Sequence, residues 1–331
     1  IVHYGNKWEE SHQKFAKKYY NNRRRRVIPD YIYWKFRSET GIEAKSLLLA
    51  LSDNEVIGQA GFIPCEIVLK NKLFHAYFIC ELMVDERFRG KGIAHLFYSE
   101  AMKRNIIFGS DPSPSASKSL ERFGFKKMIG PSKLFFPFYF SAITEKKLKS
   151  ATKLLGWIPN PFIVLAKLKS LNFDLEKYKV NIGSINQNLI SRKIKHDRIY
   201  VKHDKDYLKW RVGEFIGYQI EGEAFQEIDN FLVILRYSGV IGFIVEFICE
   251  DMSIAKYLIS AIVCRMIKKG VKEIKFATHD LKLISYLRSI GFIKYRRLTD
   301  IIFCTQNKSF LNLIKEDTLF EYTFIDSDEN I

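Results

Sequence analysis

The chain has 331 residues, 47% hydrophobic and 27% charged, which is typical of a globular protein large enough for two lobes. No apolar run of about 18 residues occurs, so we expect no membrane span. The five cysteines are scattered, which argues against a disulfide framework or structural zinc and favours a reducing, cytoplasmic location. The net charge of +16 favours anionic partners: nucleic acid, a membrane surface or phosphorylated small molecules.

The first half of the sequence predicts a helix followed by several strands. A box of the form Tyr-apolar-x-Trp-basic, Tyr31 to Lys35, precedes the hairpin pattern LLLALSDNEVIGQAGFI, in which Asp53-Asn54 marks the turn. Another apolar strand ends at Val84, and the residues from Ile93 to Arg104 have the spacing of an amphipathic helix. A strand and a helix that ends at Gly124-Phe125 complete the half.

The second half repeats this order. A second box runs from Tyr207 to Arg211, the hairpin pattern FLVILRYSGVIGFIVEF follows, and a helix ends at Gly291-Phe292. Both hairpins contain Val-Ile-Gly, at 56–58 and 240–242. A repeat of this length indicates duplicated domains. We therefore predict an α/β (α+β) fold with two copies of one domain, each a mixed, mostly antiparallel sheet flanked by helices.

The predicted boundaries leave a connector between the two lobes. We assign residues 1–139 to the first lobe, 140–190 to a helical connector and 191–331 to the second lobe. The connector has helical spacing that is broken at Pro159 and Pro161. It is basic and amphipathic, which is compatible with a membrane surface; we favour a connector packed between the lobes.

The turn from Arg87 to Gly92 is the most informative segment. Its sequence is Arg-Phe-Arg-Gly-Lys-Gly, and it joins a strand to a helix. The two glycines let the backbone coil tightly, and the N–H groups at the start of the following helix favour an anion such as pyrophosphate. The second half has Glu250 and Asp251 and no glycine at its corresponding turn, so we expect no such cradle there.

Residues 79–104 resemble motif A of the GNAT superfamily, the Gcn5-related N-acetyltransferases. The motif, Arg/Gln-x-x-Gly-x-Gly/Ala, is met by Arg87, Gly90 and Gly92, and the later segment SPSASKSLERFGF resembles motif B of the same family. The resemblance covers about residues 30–135 well and the second half by fold pattern only. It implies tandem GNAT folds and an N-acyltransferase that uses acyl-CoA, either acetyl-CoA or a short hydroxyacyl-CoA, with no metal.

The resemblance also implies a set of coenzyme contacts. The strand backbone would bind the pantetheine arm, the turn would hold the pyrophosphate, and Ser113 falls where the family often has an asparagine. The implied residues are Leu82, Met83, Val84, Arg87, Phe88, Arg89, Gly90, Lys91, Gly92, Ile93, Ala94 and Ser113. Leu120 stands where the family often has a tyrosine that protonates the leaving thiolate. Leucine cannot do so, but a thiol pKa of about 8.5 makes an unassisted thiolate tolerable.

Three residues are candidate catalytic bases. Glu81 lies in an apolar strand near the expected thioester, where burial could raise its pKa, although a structural ion pair is the alternative. His75 is on the same strand but further away. His279, beside Asp280, follows a strand of the second lobe and could equally be an exposed loop residue.

The acceptor is suggested by the two boxes. Trp34, Lys35, Trp210 and Arg211 are candidate substrate-binding residues, although each Trp could instead anchor its helix. The boxes resemble those of sugar N-acyltransferases that act on dTDP-linked 3-amino-3,6-dideoxyhexoses. This resemblance implies a nucleotide-linked amino sugar as partner, used in surface polysaccharide or lipopolysaccharide synthesis, with no nucleic acid involved.

Two alternatives remain open: a protein, peptide or small-molecule N-acetyltransferase, and a non-catalytic coenzyme-binding or peripheral membrane protein. The second lobe is expected to shape the acceptor site. The arginines 23–26 could bind phosphate, although we favour a solvated charged face for them.

Overall fold

The computed structural model describes most of the chain. The described residues are 1–20, 24–38, 41–139, 159–170, 173–192, 198–212, 222–228, 230–295, 300–321 and 323. They form two compact units. Unit 1 comprises Ile1–Ile129 and Asp300–Leu319, and unit 2 comprises Gly130–Thr299 and Phe320–Ile331.

The residues before the connector form seven strands and four helices. The strands are β1 Val2–Gly5, β2 Glu43–Ser52, β3 Glu55–Leu69, β4 Lys72–Val84, β5 Ile106–Ser110, β6 Lys126–Ile129 and β7 Ser132–Pro137. The helices are α1 Glu9–Tyr19, α2 Pro29–Lys35, α3 Ile93–Met102 and α4 Pro114–Arg122. Short 3-10 turns precede α1, α2 and α3.

The later residues add nine strands and six helices to the described part of the chain. The strands are β8 Lys179–Val180, β9 Arg198–Val201, β10 Gly222–Glu227, β11 Phe231–Ser238, β12 Ile241–Cys249, β13 Glu273–Thr278, β14 Ile293–Lys294, β15 Asp300–Thr305 and β16 Leu319–Glu321. The helices are α5 Phe162–Ser170, α6 Gln187–Arg192, α7 Lys205–Val212, α8 Met252–Lys268, α9 Leu281–Ser289 and α10 Lys308–Leu311.

Unit 1 is built on a mixed sheet with the order β1-β2-β3-β4-β5-β15-β6. Only β4 and β5 are parallel; the other neighbours in this order are antiparallel. Helices α3 and α4 cover one face, where Phe97, Tyr98, Leu120 and Phe125 form a core with sheet residues. Burial of these large side chains holds α3 against β4, and this fixes the start of α3 beside the end of that strand.

Unit 2 contains a second mixed sheet with the order β14-β7-β13-β12-β11-β10-β8. Here β12 and β13 are the parallel pair. Helices α8 and α9 pack on it through residues that include Leu258, Ile262, Met266 and Leu287. The predicted α/β architecture, two mixed and mostly antiparallel sheets flanked by helices, is confirmed.

The two units are not contiguous halves of the sequence. Strand β7, from the first half, pairs with β13 in the sheet of unit 2, whereas β15, from the second half, lies between β5 and β6 in unit 1. The predicted lobe 1–139 therefore contains β7 of the sheet in unit 2, and the predicted lobe 191–331 contains β15 of the sheet in unit 1. Sequence patterns indicate that a strand exists, but they do not indicate which sheet receives it.

The two Val-Ile-Gly hairpin patterns do not lie on equivalent strands of the two units, because they are offset by one strand. Val56-Ile57-Gly58 lies in β3, whereas Val240-Ile241-Gly242 leads into β12, which has a parallel neighbour and runs into a helix as β4 does. The structural counterpart of β12 is therefore β4. None of the helices in the described ranges is both long and apolar enough to cross a membrane.

Candidate functional site

Strands β4 and β5 diverge and leave a wedge between them. They pair only at Tyr77 with Ile107 and at Phe78 with Phe108, although β4 continues to Val84 and β5 to Ser110. Within these described strands, the edge of β4 that faces β5 therefore has no ladder partner after Phe78. Its backbone amides and carbonyls are available to an extended ligand.

A β-bulge at Glu81 accounts for this divergence. On β3, Gln59 pairs with Met83 and Gly61 pairs with Cys80, so Ala60 faces two residues of β4. Glu81 has a φ of +52°, a left-handed conformation that is costly for a residue with a side chain. A bulge bends and twists its strand, and this bend carries β4 away from β5.

The glycine turn lies directly after the wedge. Gly90 has a φ of +78° and Gly92 a φ of +80°, and α3 begins at Ile93. A Cβ at either glycine would meet no atom within 4 Å, so the glycines serve the backbone conformation and the space above them is open. The first N–H groups of a helix have no intrahelical acceptor. The start of α3 directly after this open space is an arrangement suited to a phosphate.

Charged side chains around the turn favour an anion. Arg89 and Lys91 are exposed, and the first turn of α3 carries no acidic residue. The Nε of Arg89 donates to the carbonyl of Val84 at 3.3 Å, and the Lys91 ammonium lies 4.9 Å from the centre of the Phe88 ring. These contacts keep both cations at the mouth of the wedge, where they would attract a pyrophosphate.

Asp85 fixes the start of the turn. Its side chain is buried and accepts bonds from the backbone N–H of Arg87 at 3.0 Å and from the guanidinium of Arg87 at 3.1 and 3.0 Å, with Lys18 at 3.3 Å. Hydrogen bonds from Arg87 hold the pKa of Asp85 well below its usual range, although burial opposes them; Lys18 adds to the lowering. The guanidinium of Arg87 therefore stabilises the start of the turn through its bonds to Asp85.

We expect Asp85→Asn to destabilise the protein at neutral pH and much less in acid. Because the folded pKa of Asp85 is depressed, its contribution is complete above the unfolded pKa of about 4 and is lost as the pH falls towards the folded pKa. Urea unfolding of both proteins from pH 7 to pH 3 at constant ionic strength measures this difference in the free energy of unfolding. A difference that stays constant below about pH 4 would contradict the assignment.

Glu81 lies in a buried ion-pair cluster. Its side chain has no exposed surface; Oε1 is 2.6 Å from the ammonium of Lys35 and 2.8 Å from Nε of Arg26. Gln59 donates to Oε2 at 3.3 Å. Two cations neutralise this carboxylate, and both oxygens are engaged. The geometry therefore disfavours Glu81 as a general base and favours the structural ion pair.

A second layer of polar groups surrounds this carboxylate. The Oε1 of Gln59 is 2.8 Å from Nε2 of the buried His12. Burial lowers the pKa of His12, while Gln59 and Glu81 oppose the shift, so the imidazole is neutral at pH 7. The hydroxyl of Tyr20 donates to the backbone carbonyl of Glu81 at 3.4 Å. These contacts hold the bulge from its side chain and from its backbone.

Unit 2 repeats the buried carboxylate at its own bulge. In β12 the register shifts between Ile244 and Glu246. The side chain of Glu246 is fully buried, and its Oε2 lies 2.7 Å from Nδ1 of His203. The divergence of the parallel pair recurs too, since β12 extends beyond its last pairing with β13 at Ile244.

The turn of unit 2 differs from that of unit 1. Only Glu250 and Asp251 separate β12 from α8, and the Asp251 carboxylate accepts the N–H of Ser253 at 2.7 Å. The first turn of α8 is thus capped by the chain's own anion. This arrangement opposes a phosphate ligand at that helix.

Of the two histidines suggested as bases, His75 lies on β4 of unit 1 and His279 lies in unit 2. His75 is 84% exposed and sits nine residues before Val84 on β4. At about 3.3 Å per residue, that is about 30 Å along the strand. His279 belongs to unit 2, where its Nε2 lies 2.9 Å from the carbonyl of Phe320.

Ser113 and Leu120, the two residues singled out from motif B, have structural roles in helix α4. Ser113 is the N-cap of α4, and its hydroxyl accepts the N–H of Ala116 at 3.2 Å. Leu120 is 4% exposed in the core under α4, so it supplies neither an acid nor a ligand contact. The Ser-Pro-Ser-Ala sequence indicates that a helix begins here, because serine and then proline commonly start a helix.

The basic residue of each Tyr-x-x-Trp box is buried. Lys35 has no exposed surface and is held by Glu81, and Arg211 is 2% exposed. Trp34 lies 5.6 Å from Tyr31 and Trp210 lies 5.5 Å from Tyr207, ring centre to ring centre. These positions agree with boxes that anchor their helices. Arg26 of the basic run is also buried, so the predicted solvated face is wrong for this residue.

A cavity of about 650 Å³ lies beside α1 in unit 1. Its walls carry two aromatic rings, four cations and three carboxylates. They are Trp8, Phe15, Lys7, Lys14, Lys18, Arg87, Glu10, Glu55 and Asp85. Sequence patterns missed this cavity, although the basic and aromatic spacing along α1 is a signal for it. No group of His, Cys, Asp or Glu among the described residues is arranged to hold a metal ion.

Residues 8–104 match the profile of the acetyltransferase (GNAT) family. The match includes β4, the glycine turn and α3, and it confirms the resemblance for this part of the chain. No curated protein sequence matches the chain significantly.

Solved structures share the fold at low identity. A GCN5-related N-acetyltransferase from Kribbella flavida has a TM-score of 0.57 and 10% identity, over 91% of this chain and 69% of that one. One from Anabaena variabilis has a TM-score of 0.57 and 10% identity, over 91% and 71%. N-myristoyltransferase from Saccharomyces cerevisiae with bound myristoyl-CoA has a TM-score of 0.56 and 9% identity, over 83% and 70%. These likenesses establish the fold alone.

Proposed function

We propose, from the match of residues 8–104 to the acetyltransferase (GNAT) family, that the chain is an acyl-CoA-dependent N-acyltransferase, that unit 1 binds the coenzyme and that the acceptor is a nucleotide-linked amino sugar. The main support for a coenzyme site in unit 1 is the left-handed glycine pair at 90 and 92, which lies between the open edge of β4 and the start of α3. The pantetheine amides would pair with β4 at Leu82–Val84 in the manner of an added strand. The pyrophosphate would lie on the turn.

The transfer is a direct displacement on the thioester. The amine nitrogen attacks the carbonyl carbon, the new C–N bond forms, and the C–S bond breaks to release coenzyme A thiolate. A backbone N–H on the open edge near Val84 would stabilise the developing oxyanion. Leu120 lies in the core, so the thiolate leaves without a proton from that position. Glu81 acts here by holding the bulge, and the amine gives its proton to water.

The cavity beside α1 supports a nucleotide as part of the acceptor. Trp8 offers a face on which a base can stack, and the lysine and arginine side chains offer charge for a diphosphate. Lys14 is paired with Glu10, and Lys18 with Asp85, whereas the Lys7 ammonium lies 4.8 Å from the centre of the Trp8 ring. The carboxylates reduce the positive charge of the cavity. Stacking of the base on Trp8 would therefore supply much of the selectivity for a nucleotide.

A panel of acceptors tests the proposal. The protein is incubated with acetyl-CoA or a hydroxyacyl-CoA and with dTDP- and UDP-linked amino sugars, free amino sugars and peptides, and thiol release is followed. We expect turnover with a nucleotide sugar and little with the free sugar. Turnover of peptides with none on any nucleotide sugar would overturn the acceptor assignment and favour a protein N-acyltransferase.

We expect Trp8→Ala to raise the acceptor KM about tenfold or more, because stacking of a base on an aromatic ring contributes about 1–3 kcal/mol. The dissociation constant for coenzyme A should not change. Tyr257→Ala is the matched control, since it removes a ring that is 44% exposed in unit 2. An unchanged acceptor KM in Trp8→Ala would remove this cavity from the proposal.

A further inference from the structure

Helix α5 is apolar on both of its sides. Ile163 and Ala166 pack on the core under α8. On the other side Val164 is 60%, Leu165 46% and Leu168 59% exposed. A surface helix normally presents a polar outer face, and one that is apolar all round is normally covered. The three exposed residues, called here the α5 patch, therefore mark an interaction surface.

This helix is held rigidly in unit 2. Just before it, the side-chain amide of Asn160 donates to the carbonyl of Pro137 at 2.9 Å, and the N–H of Asn160 donates to the carbonyl of Phe138 at 2.9 Å. At its end, the Ser170 hydroxyl lies 3.2 Å from the Cys264 sulfur. Tyr139, which is 44% exposed, lies beside Pro159 in a β-bridge. The α5 patch is thus fixed by the fold, with an aromatic ring near the start of its helix.

The charge of the surrounding sequence indicates what covers the patch. Residues 141–170 contain six lysines and one glutamate and no other charged residue. Lys167 lies on α5 itself and is exposed. Exposed leucines next to an exposed lysine, with a tyrosine near the start of the helix, are typical of a segment that lies in a bilayer interface.

We propose that the α5 patch docks unit 2 on an anionic lipid surface. Leu165 and Leu168 would enter the interfacial region, and the lysines of residues 141–170 would attract acidic headgroups. A symmetric contact with a second copy fits less well, because it would bring two lysine-rich segments together on chains that each carry a charge of +16. The inference does not depend on the proposed acceptor.

Vesicle sedimentation tests this directly. The full chain is mixed with vesicles of phosphatidylcholine alone or with phosphatidylglycerol at three parts in ten, at low and at high salt. We expect binding that requires phosphatidylglycerol and weakens with salt. The triple variant Val164→Ser, Leu165→Ser, Leu168→Ser should bind at least about tenfold more weakly.

A second triple variant is the matched control. Ile228→Ser, Val240→Ser and Leu281→Ser remove apolar side chains of unit 2 that are 72%, 50% and 78% exposed and are not part of α5. Binding should be unchanged in this control. Three results would each overturn the proposal: no binding to anionic vesicles, equal losses in the two variants, or a dimer of the wild type in light scattering that the α5 variant abolishes. A lower melting temperature of the α5 variant with unchanged vesicle binding would assign the patch to a contact within the chain.

Discussion

Gly90→Asp should weaken the binding of coenzyme A at least about tenfold, equivalent to about 1.4 kcal/mol. Gly90 has a φ of +78° and open space around the position of an added Cβ. Aspartate tolerates the left-handed region better than most residues, so the turn should still form. Its carboxylate would then lie where the pyrophosphate is expected and would repel it. Isothermal titration with coenzyme A measures the change.

A matched substitution separates charge in the cradle from backbone strain. Gly239 has a φ of +58° and also has open space around it, but it lies in the hairpin turn between β11 and β12 of unit 2. Gly239→Asp should leave the affinity unchanged, with one coenzyme bound per chain. Equal losses in both variants, or two equal sites per chain, would contradict a single donor site on unit 1.

Glu81→Gln should lower the free energy of unfolding by about 3–5 kcal/mol, because removing one partner of a buried ion pair leaves the other charges without compensation. Lys35 and Arg26, both within 2.8 Å of the lost carboxylate oxygen, stay buried. Lys35→Met should cost less, since Arg26 still compensates Glu81. Urea unfolding monitored by circular dichroism gives all three values.

Glu66→Gln provides the control for this series. Glu66 also lies on a strand, β3, but its side chain is 29% exposed and lies 3.8 Å from His75, so its substitution should change the stability much less than Glu81→Gln does. Activity distinguishes the two roles of Glu81. If Glu81 were the base, Glu81→Gln would lose about a hundredfold in turnover while Lys35→Met kept its turnover. If Glu81 holds the bulge, the coenzyme affinity of both variants should fall together with their stability.

The sequence predicted the parts of the site that depend on local spacing. The glycine pair, the start of α3 and the acidic turn of unit 2 each depend on a few consecutive residues whose backbone needs are specific. Leu120 has no ionisable group, so its inability to act as an acid follows from the residue type alone, and its side chain is also buried. The family match over residues 8–104 depends on this same segment.

The parts that could not be predicted depend on residues far apart in the chain. Glu81 is charged within an apolar strand, which leaves a base and a buried ion pair equally open. The choice depends on Lys35, from a box that was interpreted as substrate-binding, and on Arg26, from a basic run that was interpreted as a solvated face. Glu246 and His203, 43 residues apart, pose the same difficulty in unit 2. Pairings of this kind are set by tertiary packing, which overrides local pattern.

The position of β15 in the sheet determines when the coenzyme site can finish folding. Its Thr305 hydroxyl donates to the carbonyl of Asn105, 200 residues earlier, and β15 lies between β5 and β6. During synthesis, the strand that borders the wedge therefore waits for nearly the whole chain, and the long loop slows the closing step. A ribosome-bound fragment that ends before Asp300 would expose β5 and β6 as unpaired edges, which are prone to aggregation. The glycine turn ends at Gly92, yet its sheet is complete only after Thr305 has been made.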